Sequence, residues 1–284
     1  MARDSKRNRC GTKTDSAQRF LTFGIICWHA PQQNGVTKTM FGFYEFYVHP
    51  FGIGIPLLAV AIASMGAFRA SLTANQIAVF VTASAVVLGA WFAVALPFSR
   101  SGVFNVPAEI GDPPYVLMFL FGGATLIWGL AWLTPLGRRI TEATPLSAIA
   151  AFQIPRIMGG LFLIGWIVGD IPALFALPAG LGDILAGIAG WQASRALAKG
   201  EPNARSLLAR AIFIGIADFF FAVLFGIITS PGFAHLYALD APNIINAYPL
   251  AMFPAFFVPI FLGFHFIAIS RLRQESATES KAHA

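Results

Sequence analysis

Residues 172–191 read PALFALPAGLGDILAGIAGW, and Asp183 is the single charged side chain in this stretch. An α-helix needs about 20 apolar residues to cross the hydrocarbon core of a bilayer, so the stretch has the length and composition of a membrane span. Lipid leaves unpaired backbone groups without partners, and the run is too long and too evenly apolar for a barrel strand. The segment therefore predicts a transmembrane helix.

The rest of the chain has a similar composition. Of its 284 residues, 57% are hydrophobic and 11% are charged, whereas an ordinary soluble domain has about 25% charged residues. The predicted fold class is therefore all-α, a polytopic bundle of about seven transmembrane helices surrounded by a lipid bilayer. The predicted spans are residues 51–68, 77–98, 115–134, 146–168, 172–191, 211–229 and 247–269.

Basic side chains divide unequally between the two sides of this bundle. One side has only Arg100, and the other carries ten: Arg69, Arg138, Arg139, Arg195, Lys199, Arg205, Arg210, Arg271, Arg273 and Lys281. Because lysine and arginine concentrate in cytoplasmic loops, the bias predicts that the N-terminus lies outside and the C-terminus in the cytoplasm. We expect a multi-pass protein of a bacterial inner membrane, with residues 271–284 as a short cytoplasmic tail.

Residues 1–39 conflict with this orientation, because they hold seven basic side chains against two acidic ones. A signal peptide would use Phe20–Trp28 as its apolar region, but the following His29-Ala30-Pro31 is a poor cleavage site. The same apolar region is too short for an eighth span. We therefore expect residues 1–39 to be a disordered or non-native extension, with Met40 as the initiator, and residues 40–270 to form the transmembrane domain.

Four ionisable side chains lie inside predicted spans: Arg156, Asp183, Asp218 and His265. A charge at such a depth costs about 2.5–3.5 kcal/mol on insertion scales, which makes these residues candidates for function. A short turn at residues 169–172 makes the fourth and fifth spans antiparallel neighbours, so Arg156 and Asp183 lie at similar depth. Asp218 lies within about one helical turn of that level. With Gln153, these three residues form the predicted binding site.

Small residues around this site predict close helix packing. Ala179 and Gly187 flank Asp183 at four-residue spacing, and such rows let helix backbones approach each other. Pro155 cannot donate a hydrogen bond to the carbonyl of Ala151, so we expect a kink beside Arg156. The predicted site is therefore an irregular polar patch near the middle of the membrane.

The residues leave two interpretations of this patch open. In the first, it binds or transports a small anion or a proton-coupled solute, with Arg156 contacting the anion and Asp218 carrying the proton. In the second, Arg156 and Asp183 form an ion pair that fixes helix register, and Asp218 is protonated or hydrogen-bonded. His265 lies in the cytoplasmic third, where we expect it to extend toward the headgroups or bond a neighbouring backbone.

Two other classes of function also remain open. A membrane enzyme acting on a lipid or isoprenoid would draw its catalytic groups from the outer face, from among Glu45, His49, Asp170, His235 and Asp240. A non-catalytic assembly subunit would instead bind a membrane protein partner or a second copy of the chain.

The sequence predicts no cofactor and no metal site. It contains no HExxH, GxSxG or GxxxxGK[ST] motif, and no predicted span contains a lysine that could bind retinal. His49 and His235 could share a haem or metal only if a further ligand such as Glu45 converged on them. Residues 40–284 have a net charge of +1 and no base-reading face, so nucleic-acid binding is not expected.

Overall fold

A computed structural model describes residues 35–282, with side chains described for residues 40–278. This part of the chain is helical and contains no strand. In chain order the helices are α1 (Gly35–Arg69), α2 (Ala74–Arg100), α3 (Tyr115–Trp132), α4 (Pro135–Ala143), α5 (Leu146–Ala151), α6 (Gly160–Ile167), α7 (Ala173–Lys199), α8 (Ala204–Thr229) and α9 (Val258–Ala282).

Seven stretches of these helices are long and apolar enough to cross a membrane. This confirms the predicted all-α bundle and supports a multi-pass membrane protein. The stretches are Met40–Arg69, Ala74–Arg100, Tyr115–Trp132, Leu146–Ile167, Ala173–Lys199, Ala204–Thr229 and Phe253–Thr278. The prediction for residues 1–39 falls mostly on residues 1–34, which lie outside the described part of the chain.

The predicted limits agree closely for the second, third and fourth spans, and four other helices extend past theirs. The last span also begins later than predicted, at Phe253 and not at residue 247. Helix α7 continues to Lys199, where Gly200 ends it in the left-handed conformation with φ 66°, and α8 begins at Ala204. A hydropathy pattern marks only the part of a helix that lies in hydrocarbon. The helical hydrogen bonds can continue past that boundary, because water and polar side chains can bond the peptide groups at the helix end.

Helix α1 differs most from its prediction, because it runs continuously through Pro50 and Pro56. The predicted first span starts only at residue 51. The extra turns are held by tertiary contacts: the Tyr44 side chain is buried, and the Tyr47 hydroxyl donates to the Met158 carbonyl at 2.9 Å. Packing therefore outweighs the local cost of proline in this helix.

The fourth span is broken, as Pro155 predicts. Helix α5 ends at Ala151, residues Ile154–Gly159 form a 3₁₀ segment, and α6 completes the crossing. A 3₁₀ helix has three residues per turn, so residues three apart lie on the same face. Gln153 and Arg156 have this spacing, and both are buried.

Helix α4 lies in a loop between two predicted spans and was not anticipated. Thr134 caps it by accepting a hydrogen bond from the Gly137 amide at 3.0 Å, and Pro135 occupies its first turn. The Arg138 guanidinium donates to Glu142 at 2.9 Å, which lowers the pKa of that carboxyl below its ordinary value. The Thr-Pro pair was the sequence signal for this helix start.

The core is centred on the last span, which packs against α3 and is the most buried of the seven. It begins with a π-helical segment, Phe253–Phe257, that leads directly into α9. On the other side of the bundle α7 packs against α8 and against the broken fourth span. We call the end of the bundle that holds Arg69 and Arg138 the basic end, and the opposite end the Arg100 end.

Gly66 provides a test of the packing at the basic end. A Cβ atom at this position would overlap the Thr144 hydroxyl and the Ile140 carbonyl of the α4 region, whereas Gly54 on the same helix has open space around it. We expect Gly66→Ala to lower stability by about 1–3 kcal/mol, the usual cost of overpacking, and Gly54→Ala to leave it unchanged. Thermal unfolding in detergent measures both variants, and equal melting temperatures would contradict the packing described.

Candidate functional site

Arg156 lies at the centre of a buried polar cluster formed by four elements. Its Nε donates to Asp183 Oδ1 of α7 at 2.8 Å, and its Nη2 donates to Asp218 Oδ2 of α8. Its Nη1 donates to the Gly215 carbonyl at 3.3 Å and lies 3.2 Å from His265 Nε2 of α9. We call Arg156, Asp183, Asp218 and His265 the Arg156 cluster.

The structure brings Arg156, Asp183 and Asp218 together, as the depth argument predicts. Gln153 lies one 3₁₀ turn away, and its side chain does not contact the guanidinium. Its Nε2 donates instead to the Phe261 carbonyl of α9 at 3.2 Å, and its buried Oε1 has no hydrogen-bond partner among the described residues. Gln153 therefore joins the broken fourth span to the last span by a hydrogen bond.

The expectation for His265 is wrong. Its side chain is 2% exposed and points inward to Arg156, not toward the headgroups. The burial of the last span cannot be read from hydropathy, so the depth count placed this ring in the wrong surroundings. The structure makes His265 part of the cluster.

Glycines make room for the buried side chains. A Cβ atom at Gly182 would overlap the Asp218 carboxylate, and one at Gly159 would overlap Asp183. Gly215 performs the same role for the His265 ring. The small residues of α7 were predicted from the sequence and Gly215 was not, although Gly215 lies three residues before Asp218 and therefore on the same helix face.

The partners of Arg156 leave it little capacity for another ligand. Each of its three side-chain nitrogens has a partner, and its guanidinium lies over the Phe219 ring with 3.8 Å between the guanidinium carbon and the ring centroid. The side chain is 0% exposed. An anion could bind Arg156 only by displacing these partners, so the geometry opposes the predicted role of Arg156 as an anion contact.

Asp183 and Asp218, in contrast, lie beside a cavity. A cavity of about 70 Å³ is lined by Asp183 and Asp218 and reaches Asn246, which precedes the last span at the Arg100 end. Its volume is sufficient for a few water molecules. Asp218 Oδ1 is buried and has no hydrogen-bond partner among the described residues. The aromatic rings Phe162 and Phe175 form part of the cavity wall.

The outer-face candidates form separate contacts. Glu45 accepts a hydrogen bond from the Tyr248 hydroxyl at 2.6 Å, and its carboxylate lies 3.7 Å from Arg100 Nη2. Burial and this bond to Glu45 raise the pKa of Tyr248 above its ordinary value. Asp170 accepts from the Tyr44 hydroxyl at 3.0 Å. The long sequence separations of these pairs explain why no local spacing indicated them.

The remaining outer-face candidates do not join these pairs. His49 Nδ1 lies 2.6 Å from the backbone carbonyl of Glu45 on its own helix, and His235 Nε2 is buried without a hydrogen-bond partner among the described residues. Asp240 is exposed. No three His, Cys, Asp or Glu side chains in the described part of the chain are grouped closely enough to hold a metal ion.

Comparison with known proteins places the chain in a family. Residues 113–273 match the family described as "Domain of unknown function (DUF8737)", and because the match covers more than half of the chain, the protein belongs to this family. The matched region contains the whole Arg156 cluster and leaves α1 and α2 outside. No curated protein and no solved structure matches the chain.

The geometry of the cluster predicts that lysine cannot replace Arg156. A single ammonium group cannot reproduce the planar fork that reaches Asp183, Asp218 and Gly215 together, so Arg156→Lys leaves one buried carboxylate without its partner. We expect a loss of about 3 kcal/mol, at the lower edge of the cost of breaking a buried ion pair. Arg195→Lys is the matched control, because Arg195 is an exposed arginine over the Trp191 ring.

Thermal unfolding of the two variants and of the unmodified protein measures this loss of stability. Melting at the same temperature for Arg156→Lys and Arg195→Lys would contradict the bridging role of the guanidinium.

Proposed function

We propose that this member of the DUF8737 family binds or transports a small solute together with a proton, and that Asp218 carries the proton. The observation that supports the proposal most directly is that Asp218 lines the cavity and that its buried Oδ1 has no hydrogen-bond partner among the described residues. The proposed binding residues are Asp183 and Asp218, which line this cavity, and Arg156 holds their carboxyl groups in place.

Charge balance supports the presence of a proton. The cluster contains two carboxyl groups and one guanidinium, and His265 adds no compensating charge when it is neutral. An uncompensated buried charge costs several kcal/mol, so the cluster is most stable when one carboxyl group is protonated. Asp218 is the better candidate of the two, because its second oxygen is buried without a hydrogen-bond partner among the described residues.

The same balance suggests how a solute couples to the proton. Loss of the proton leaves one negative charge, which a small monovalent cation entering the cavity can neutralise. Phe162 and Phe175 at the cavity wall suit such a ligand, since aromatic faces attract cations. Proton and cation then exclude each other, which is the requirement for exchange.

A purely structural ion pair would show the same contacts, and Arg156 would then only hold the helices in register. The two interpretations differ in what they require of Asp218. A structural role is satisfied by any residue that accepts the Arg156 hydrogen bond, whereas proton exchange requires a titratable group.

We also propose an orientation, with the basic end in the cytoplasm of a bacterial inner membrane. The support is the predominance of arginine and lysine at that end. In this orientation the cavity beside Asp218 approaches the outer side, which is where a proton or cation would enter.

Asp218→Asn tests the proposed function. Asparagine has nearly the same shape and can still accept from Arg156, but it cannot exchange a proton. In vesicles containing the purified protein and a trapped pH-sensitive dye, we expect ammonium, methylammonium or guanidinium to drive proton movement through the unmodified protein. The rate should fall at least tenfold in Asp218→Asn and stay unchanged in Asp240→Asn, an exposed acid at the same end.

Infrared spectroscopy of the same variants tests the charge state separately. The unmodified protein should show the carbonyl stretch of a protonated carboxyl group at neutral pH, and Asp218→Asn should lack it. If both proteins are folded and protons move equally fast through Asp218→Asn and the unmodified protein, the proposed function is wrong and the cluster has only a structural role.

A further inference from the structure

A large apolar groove lies at the basic end, away from the Arg156 cluster. Its volume is about 410 Å³, and its walls come from α1, α2, α3 and α9, with α4 closing one end. Ala63, Ala83 and Ile127 line the sides, and Leu136 and Ile140 of α4 lie at the closed end. No member of the Arg156 cluster lines it, so this groove is a second and independent feature of the bundle.

The groove offers almost nothing to a polar ligand. The Thr134 hydroxyl donates to the Leu130 carbonyl at 2.6 Å, and the Thr141 hydroxyl donates to the Ala131 carbonyl at 3.0 Å. These hydroxyl groups are therefore engaged with neighbouring backbone. Val87 at the wall is 48% exposed, so the groove is open to the surroundings of the bundle. Its interior chemistry fits a hydrocarbon chain.

Arginines provide charge at the closed end of the groove. Arg69 ends α1, is exposed, and has no hydrogen bond or ion pair among the described residues. Arg139 of α4 donates to the Ala70 carbonyl at 2.7 Å and has no carboxylate partner in the described chain. Arg138 differs, because Glu142 neutralises it. Two uncompensated positive charges therefore meet where α1 and α4 come together.

The surroundings place this end at the level of lipid headgroups. Arg138 lies over the Trp132 ring with 5.3 Å between the guanidinium carbon and the ring centroid, and tryptophan is typical of the membrane interface. Helix α4 directs Leu136 and Ile140 into the groove and leaves Arg138 and Arg139 exposed. That division between apolar and charged faces is characteristic of a helix lying in the interface.

The geometry points to a binding site for an anionic phospholipid. One acyl chain occupies the groove, and the phosphate group lies against Arg69 and Arg139. Charge complementarity decides the class of lipid, because a zwitterionic headgroup would bring its own positive charge to two guanidinium groups that have no carboxylate partner in the described chain. This inference uses none of the residues of the proposed proton site, so either can fail without the other.

Native mass spectrometry of the purified protein in mild detergent tests the site, with phosphatidylglycerol and phosphatidylcholine as probes. We expect one phosphatidylglycerol molecule to bind with higher affinity than phosphatidylcholine. Each basic residue near a membrane surface contributes about a fivefold factor in the binding of anionic lipid. Arg69→Gln with Arg139→Gln should therefore weaken phosphatidylglycerol binding about 25-fold and leave phosphatidylcholine unaffected, and Arg195→Gln should change neither.

The groove itself is tested by Ala83→Trp, which fills it, against Ala85→Trp, which lies two residues away on α2 and does not line it. Ala83→Trp should reduce binding of both lipids at least tenfold, whereas Ala85→Trp should not. The proposal is overturned if both lipids bind equally and the arginine substitutions change the binding of neither. The protein would then carry only non-specific bulk lipid. The proposal is also overturned if the unmodified protein is a dimer without bound lipid and Ala83→Trp is a monomer, because a second copy of the chain would then occupy the groove.

Discussion

The burial of one guanidinium group is the constraint on which the middle of this bundle depends. Arg156 cannot reach water, so its charge and hydrogen bonds must be satisfied by side chains and carbonyls from neighbouring helices. Asp183, Asp218 and His265 meet this requirement from three separate helices. The glycines beside them follow from it, because any larger side chain would keep the carboxylates from reaching the guanidinium.

Pro155, next to Arg156, explains why the fourth span is irregular. The 3₁₀ segment begins at Ile154, so Pro155 lies in its first turn, where a backbone N–H is not needed for a helical hydrogen bond. The 3₁₀ geometry places Gln153 and Arg156 on one face. Gln153 then bonds the carbonyl of Phe261, so the irregular segment is attached to the last span as well as to α7 and α8.

Two regions of the bundle combine polar and apolar surfaces in different ways. At the Arg156 cluster, charge is enclosed by helices and balanced except for one carboxyl group beside a small cavity. At the basic end, the charges of Arg69 and Arg139 are exposed and the adjoining surface is apolar. The first arrangement suits a proton and a small cation, and the second suits an amphiphile with an anionic head.

The sequence by itself determined the all-α class, the seven spans and the meeting of Arg156 with Asp183 and Asp218, because hydrophobic length, charge cost and depth along a helix are local quantities. It did not determine the start of α1, the existence of α4 or the inward direction of His265. Those depend on which side chains from distant parts of the chain pack around them. Only the tertiary structure decided that every side-chain nitrogen of Arg156 has a partner and that Asp218 lines a cavity, since hydrogen-bond partners and cavities arise between helices.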